Sequence, residues 1–194
     1  AEQRTYRVFH TPSMAAGLEA QRLIMQAGWM PPVVRQYDAR ETRRNFKEWS
    51  VKGDGMLMMV HEGPVGRVAA EVEAVDVLAA QCGLTRADDQ VAAHWMENRN
   101  HVPSWTELFD QDLVVDTIEI SGSWSNIELI YDQSIADVSA VEGVVAVSAH
   151  SSKAYRTGVN LYFTFAGLSD DPQVLENIYL ACWHAVMEAT AAHG

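Results

Sequence analysis

The stretch with the clearest capacity for chemistry is residues 155–165, in which a tyrosine alternates with apolar side chains. Successive side chains of a strand point to opposite faces, so Leu161, Phe163 and Phe165 share one face while Tyr162 lies on the other. A phenol on the polar side of a strand can donate or accept a proton. The same pattern is typical of a half-buried strand whose tyrosine hydroxyl meets water. The strand alone leaves both interpretations open.

Two other residues could act with this tyrosine. Arg35 lies in a short predicted strand, and the basic residues Arg40, Arg43, Arg44 and Lys47 follow it closely. Such a cluster indicates a locally positive site, although the chain as a whole carries a formal charge of −12. His150 ends another predicted strand near Tyr155, close enough in sequence to share a site with Tyr162.

Metal binding and nucleophilic catalysis have weaker support. His94, Glu97 and His101 could lie on one helix face, but known zinc signatures space their histidines differently, and Pro103 interrupts the helix. We therefore predict no metal site. The chain has no Gly-x-Ser-x-Gly motif, which disfavours a hydrolase. Acidic residues at strand ends are usually solvated, and we expect this of Asp110, Asp112, Asp116 and Glu119.

The elements that must position these residues alternate between short strands and amphipathic helices. We predict strands at 5–10, 33–37, 56–61, 113–120, 144–149 and 159–165, with helices in the intervening segments and a last helix from Pro172 to the end. The last two strands are too close in sequence for a helical crossover and should pair antiparallel. The prediction is an α+β fold: duplicated ferredoxin-like units forming an antiparallel sheet, with helices packed on one face.

Composition limits the partners. An acidic chain of 194 residues, 48% hydrophobic, suits a globular domain and disfavours nucleic acid or an anionic membrane as the main partner. Cys82 and Cys182 lie in apolar helical patterns, which favours free thiols and a reducing compartment. A single disulfide between them is the alternative. No run is long enough to span a membrane, and residues 1–4 lack the apolar stretch of a signal peptide. We expect a cytoplasmic protein.

Several segments, in this order, resemble one family. They are residues 16–20, 32–38, 115–119 with Trp124 and Ser125, 150–155 with Gly158, and 161–165. Together they resemble the C-terminal cap domain of FAD-linked oxidases, nearest the alkyldihydroxyacetonephosphate synthase type. The resemblance spans nearly all of residues 1–194.

The resemblance implies an enzyme in which an N-terminal domain binds FAD and the cap domain closes over the flavin to shape the substrate pocket. It implies that Tyr162 is catalytic and that Arg35 binds a phosphate or carboxylate of a small anionic substrate. His150 and Tyr155 are expected to line the same pocket. Arg35 and Tyr162 should then lie on neighbouring strands of one sheet face. The substrate would be an acyl ketone phosphate or a 2-hydroxy acid.

The chain also departs from the family pattern. The synthases carry a further arginine where this chain has residues 104–107, and we expect Arg99 to substitute for it. The flavin domain and the histidine-rich segment of the family are absent from this sequence, so we expect a fragment that binds no flavin and is inactive alone. A stand-alone ligand-binding or regulatory module of ferredoxin-like units remains the alternative. Either protein could form a homodimer.

Overall fold

The computed structural model describes residues 2–100 and 112–194. Seven strands in these ranges form one sheet in the order β4-β1-β3-β2-β6-β7-β5, and all neighbouring strands are antiparallel. The strands are β1 (Glu2–Thr11), β2 (Val33–Tyr37), β3 (Gly55–Pro64), β4 (Thr85–Arg86), β5 (Leu113–Ser123), β6 (Val144–Ser151) and β7 (Gly158–Leu168). All six predicted strands are present, and β4 is an addition.

Residues 2–100 and 112–194 contain six α-helices. They are α1 (Met14–Gln26), α2 (Ala39–Asn45), α3 (Val65–Gln81), α4 (Gln90–Asn98), α5 (Ile127–Ala140) and α6 (Pro172–His193). Ser13, Asp38 and Asp171 cap α1, α2 and α6 through their side chains, which satisfies backbone N–H groups of the first turn. In the part of the chain that the structure describes, no helix is long and apolar enough to cross a membrane.

The predicted α+β class is confirmed, but the prediction that the helices pack on one face is wrong. Phe9 and Leu57 belong to a core that α1 and α3 cover, whereas their neighbours Val8 and Met58 belong to a second core under α2 and α4. The apolar run of β3 explains this arrangement. Residues 56–60 are all fully or almost fully buried, so both faces of that strand need a cover.

The half of the sheet formed by β5, β6 and β7 is different. Its apolar face packs under α5 and α6, with Ile118, Phe163 and Phe165 at the centre. Its other face carries polar side chains, including Thr117, Glu119 and Tyr162. The period-two pattern of β7 therefore places Tyr162 away from the aromatic core, as predicted from the sequence.

The two halves of the sheet meet where β2 pairs briefly with β6. Only Gln36 with Ser151 and Tyr37 with His150 are paired. Asp38 then secures the joint: its Oδ2 accepts from the backbone N–H of Ala149 at 2.7 Å, and its Oδ1 caps α2. Burial, its main influence, raises the pKa of Asp38, although these backbone donors oppose that shift.

Candidate active site

The strand register aligns four side chains on one sheet face. Tyr37 is paired with His150, His150 with Tyr162, and Tyr162 with Glu119. Directly paired residues of antiparallel strands share a face. The imidazole of His150 lies between the two tyrosines, with ring centroids 5.4 Å from Tyr37 and 4.9 Å from Tyr162. We define the site row as Tyr37, His150 and Tyr162 together with Arg35, which precedes Tyr37 on β2 by two residues. Glu119 lies beside the row, next to Tyr162.

Arg35 joins the row because it lies two residues before Tyr37 on the same strand. Its Nε donates to the hydroxyl of Tyr37 at 2.8 Å, and its guanidinium carbon lies 5.2 Å from the ring centre of Trp95. Arg35 and Tyr162 lie on the same face, but β6 separates their strands. The expectation of neighbouring strands is therefore wrong, since His150 on β6 fills the space between them.

Trp95 links Arg35 to a second cation. The guanidinium carbon of Arg99 lies 5.8 Å from the same indole centre. The ring of Trp95 therefore makes cation–π contacts with both Arg35 and Arg99. Sequence reasoning named both arginines but missed Trp95 and Tyr37. An aromatic residue four positions before Arg99 on a helix was the available signal for Trp95, because residues four apart share a helix face.

A buried carboxylate stands beside the histidine of the row. The Oε1 of Glu41 lies 3.0 Å from His150 Nδ1, and the Glu41 side chain is almost fully buried. The two atoms are close, although His150 Nδ1 is not well aligned for a hydrogen bond. Burial raises the pKa of Glu41, but His150, Arg44 and Ser148 together outweigh it and lower the net pKa.

Tyr162 is held as a neutral phenol. Burial and then the adjacent carboxylate of Glu119 raise the pKa of Tyr162 above its ordinary value. A phenol with a raised pKa keeps its proton near neutral pH. Tyr162 therefore carries a proton that could be donated and is not a resident phenolate.

Asn160 organises the polar side of this tyrosine, and sequence reasoning missed it. Its amide nitrogen donates to Glu119 Oε1 at 2.7 Å, and its amide oxygen accepts from the backbone N–H groups of Ser152 and Lys153. Asn160 is buried, so these bonds satisfy a polar group in the interior. The hydrogen bond from Asn160 is the largest influence that lowers the pKa of Glu119.

Tyr155 stands outside the row. Its side chain is 56% exposed, and its backbone carbonyl accepts from the indole N–H of Trp124 at 2.9 Å. Tyr155 lies in the segment between β6 and β7, outside the strand pairs that align the row.

The weaker candidates do not form sites in the described ranges. His94 packs on Trp49 with ring centroids 5.3 Å apart, while His101 lies outside the described residues. No three metal-ligating side chains converge within residues 2–100 and 112–194. Asp116 accepts from the indole of Trp183 on the helix-covered face, opposite Glu119, and Asp110 lies outside the described residues.

The fold and the row together describe an α+β domain with an open, polar sheet face. Over residues 1–194 the chain matches the family model for the C-terminal domain of FAD linked oxidases. The chain therefore belongs to that family, which confirms the resemblance inferred from the sequence.

Two curated relatives and two solved structures illustrate the similarity. The uncharacterized FAD-linked oxidoreductase YgcU of Escherichia coli (strain K12) is 27% identical over 163 residues, covering 78% of this chain and 33% of the relative. Alkyldihydroxyacetonephosphate synthase of Dictyostelium discoideum is 25% identical over 198 residues, covering 86% of this chain and 32% of the relative. This chain thus spans about a third of the length of these relatives.

The solved structures share the fold. A structure of alkyldihydroxyacetonephosphate synthase superposes with a TM-score of 0.81 at 20% identity, covering 99% of this chain and 39% of the other. The 4-ethylphenol oxidase from Gulosibacter chungangensis superposes with a TM-score of 0.63 at 12% identity, covering 98% of this chain and 43% of the other.

Proposed function

We propose that this chain is the substrate-binding cap domain of a flavin-dependent oxidoreductase or alkylglycerone-phosphate synthase-like enzyme. In this proposal Arg35 binds the anionic group of the substrate and Tyr162 is the catalytic acid. The observation that carries the proposal is the site row, in which Arg35, Tyr37, His150 and Tyr162 follow one another across one sheet face.

Arg35 suits an anion because its Nε is already bonded to Tyr37, which fixes the guanidinium and leaves the terminal nitrogens for a ligand. Two parallel N–H donors match the oxygens of a phosphate or a carboxylate. Arg99 adds a second positive charge near the same indole ring of Trp95. These two arginines would suit the phosphate of an acyl ketone phosphate and the carboxylate of a 2-hydroxy acid equally well.

Tyr162 lies two strands from Arg35, with His150 between them. An anion held by Arg35 would place the rest of a small substrate along the row, above His150 and toward the phenol. The parallel imidazole limits rotation of the Tyr162 ring, and Glu119 stands beside it. In this position the phenol would donate its proton to an oxygen of the bound substrate.

FAD, in this proposal, is held by another domain of the same enzyme. The glycine-containing start of α3 is a poor diphosphate cradle, because its N-cap is Pro64, which has no N–H to offer. The open row fits one wall of a pocket that faces a flavin ring. When bound, the flavin supplies the redox or electrophilic chemistry. The described residues bind and orient the substrate and donate a proton.

We also propose that the sheet consists of two ferredoxin-like units. The first half runs strand, helix, strand, strand, helix, strand in the order β4-β1-β3-β2, with the short α2 inserted. The second half runs strand, helix, strand, strand, helix in the order β6-β7-β5, and the described residues contain no counterpart of β4 there. The equivalent order of β2-β3-β1 and β6-β7-β5 supports a duplication.

The test uses the full-length protein, loaded with flavin and assayed with acyl ketone phosphates and with 2-hydroxy acids. We expect flavin-dependent turnover of one class. Arg35→Gln should raise KM by about tenfold or more, since a hydrogen bond to a charged group contributes roughly 1.5–3 kcal/mol.

Arg22→Gln is the matched control, because Arg22 lies on α1 and pairs with Glu19. If a flavin-loaded protein turns over neither class, the proposal fails and the binding-module alternative gains support. An Arg35→Gln variant with unchanged KM would remove Arg35 from the site.

A further inference from the structure

A second cationic site lies outside the row, in a cleft between α2 and residues 144–148 of β6. The cleft has a volume of about 500 Å³, and Arg40, Arg43 and Arg44 line it. The cleft forms because β2 ends at Tyr37 and the chain then leaves the sheet to form α2. Residues 144–148 of β6 therefore face a helix on that side. We call this the arginine cleft.

The charge of the cleft is unusual for this protein. Three guanidinium groups gather there, although the whole chain has a formal charge of −12. Among the described residues, the one carboxylate paired with any of the three is Glu41, which lies 3.2 Å from Arg44 and also faces His150. The cleft therefore keeps a positive excess of charge.

The helix dipole explains only part of the cluster. Arg43 and Arg44 lie in the last turn of α2, where a cation is favourable. Arg40 lies in the first turn, where the dipole disfavours a cation. A specific bond holds it there: its Nη1 donates to the backbone carbonyl of Val147 at 3.1 Å. This bond fixes the Arg40 side chain against β6.

The other wall is apolar in character. Val145 is 58% exposed and lines the cleft beside Val144 and Ala146. A large exposed aliphatic side chain next to guanidinium groups presents two kinds of surface to one ligand. Inorganic phosphate would use only the charged wall.

We propose that the arginine cleft binds an organic anion, with its phosphate or carboxylate held by the three arginines and its apolar part against Val145. Guanidinium groups recognise both head groups through paired N–H donors. The site is separate from the row, since Arg35 lies on β2 against Trp95 and does not line the cleft. The inference does not depend on the proposed catalytic function.

The test measures binding rather than turnover, by titration calorimetry of the full-length protein at low ionic strength. All variants carry Arg35→Gln, so that the row cannot account for anion binding. The probes are inorganic phosphate, phenyl phosphate and benzoate. We expect one aromatic anion to bind at least about tenfold tighter than inorganic phosphate, since its ring buries apolar surface against Val145. Phenyl phosphate as the tighter ligand would indicate a phosphate head group, and benzoate a carboxylate.

Adding Arg43→Gln should raise Kd about tenfold or more, whereas Arg22→Gln, an equal loss of charge on α1, should leave it unchanged. Val145→Ser should remove the advantage of the aromatic ring. Absence of binding, or equal Kd values in the Arg43→Gln and Arg22→Gln proteins, would overturn the site. An unchanged aromatic preference in Val145→Ser would overturn the assignment of an organic ligand.

Discussion

The imidazole of His150 lies almost parallel to the phenol ring of Tyr162, with ring centroids 4.9 Å apart and an angle of 12° between the planes. The other face of the imidazole meets Tyr37 at 5.4 Å. His150 thus spaces two tyrosines on strands that do not touch, and it holds the ring of Tyr162 in one orientation. In the proposed reaction, this arrangement would set the direction in which Tyr162 donates its proton.

Tyr162→Phe tests that proton directly. It removes one hydroxyl and keeps the stacked ring, so we expect turnover of the full-length enzyme to fall about 10²-fold or more, as for loss of a general acid. The free energy of unfolding should change by less than about 1 kcal/mol. Steady-state kinetics and urea denaturation measure the two effects. Tyr6→Phe on β1 is the control, and unchanged turnover in Tyr162→Phe would leave the tyrosine a structural role only.

Glu41→Gln should change how stability depends on pH. The pKa of Glu41 is lowered in the folded protein, so its charged form stabilises the fold above the unfolded-state pKa, which lies near the ordinary value of 4.5. That contribution is lost as the pH falls through the folded-state pKa.

The wild-type protein should therefore exceed Glu41→Gln in stability at pH 7, and the difference should shrink below about pH 4.5. Urea denaturation at a series of pH values measures it. A difference that stays constant with pH would show that the charge of Glu41 contributes nothing.

Asn160 can be tested with two substitutions of different kinds. Asn160→Ala leaves the backbone N–H groups of Ser152 and Lys153 without their acceptor, and we expect a loss of about 1–3 kcal/mol in unfolding free energy. Asn160→Asp keeps an acceptor but replaces the donor to Glu119 with a like charge. It should raise the pKa of Glu119, which NMR titration of that carboxyl would report. An unchanged titration of Glu119 would mean that Asn160 supports the loop alone.

Gly17 lies closely against a buried side chain, so an added methyl group should be costly there. A Cβ at this site would overlap the side chain of Gln36, which is buried and bonded to Gln21 and to the carbonyl of Met14. We expect Gly17→Ala to destabilise the protein by about 1–3 kcal/mol. Gly66→Ala is the matched control, because nothing lies within 4 Å of its added Cβ and its helical position favours alanine. Thermal denaturation of both variants measures the difference. Equal stabilities of Gly17→Ala and Gly66→Ala would contradict the predicted overlap.

Local patterning in the sequence determined the elements of this protein. Alternation in β7 assigned Tyr162 to the polar side, and Pro172 located the start of the last helix. These features depend on neighbours in sequence, so they can be read without the fold. The continuous apolar run of β3 also indicated that both faces of the sheet would be covered. The prediction that helices pack on one face did not take this signal into account.

Only the tertiary structure decided how the strands are ordered, and that order creates the candidate site. The brief pairing of β2 with β6 brings Tyr37 against His150, and it keeps Arg35 and Tyr162 two strands apart. The same break in pairing opens the arginine cleft beside β6. Long-range register depends on the packing of whole faces and on buried polar groups such as Asp38 and Asn160. A sequence pattern that repeats every two residues contains no information about which strand will be its neighbour.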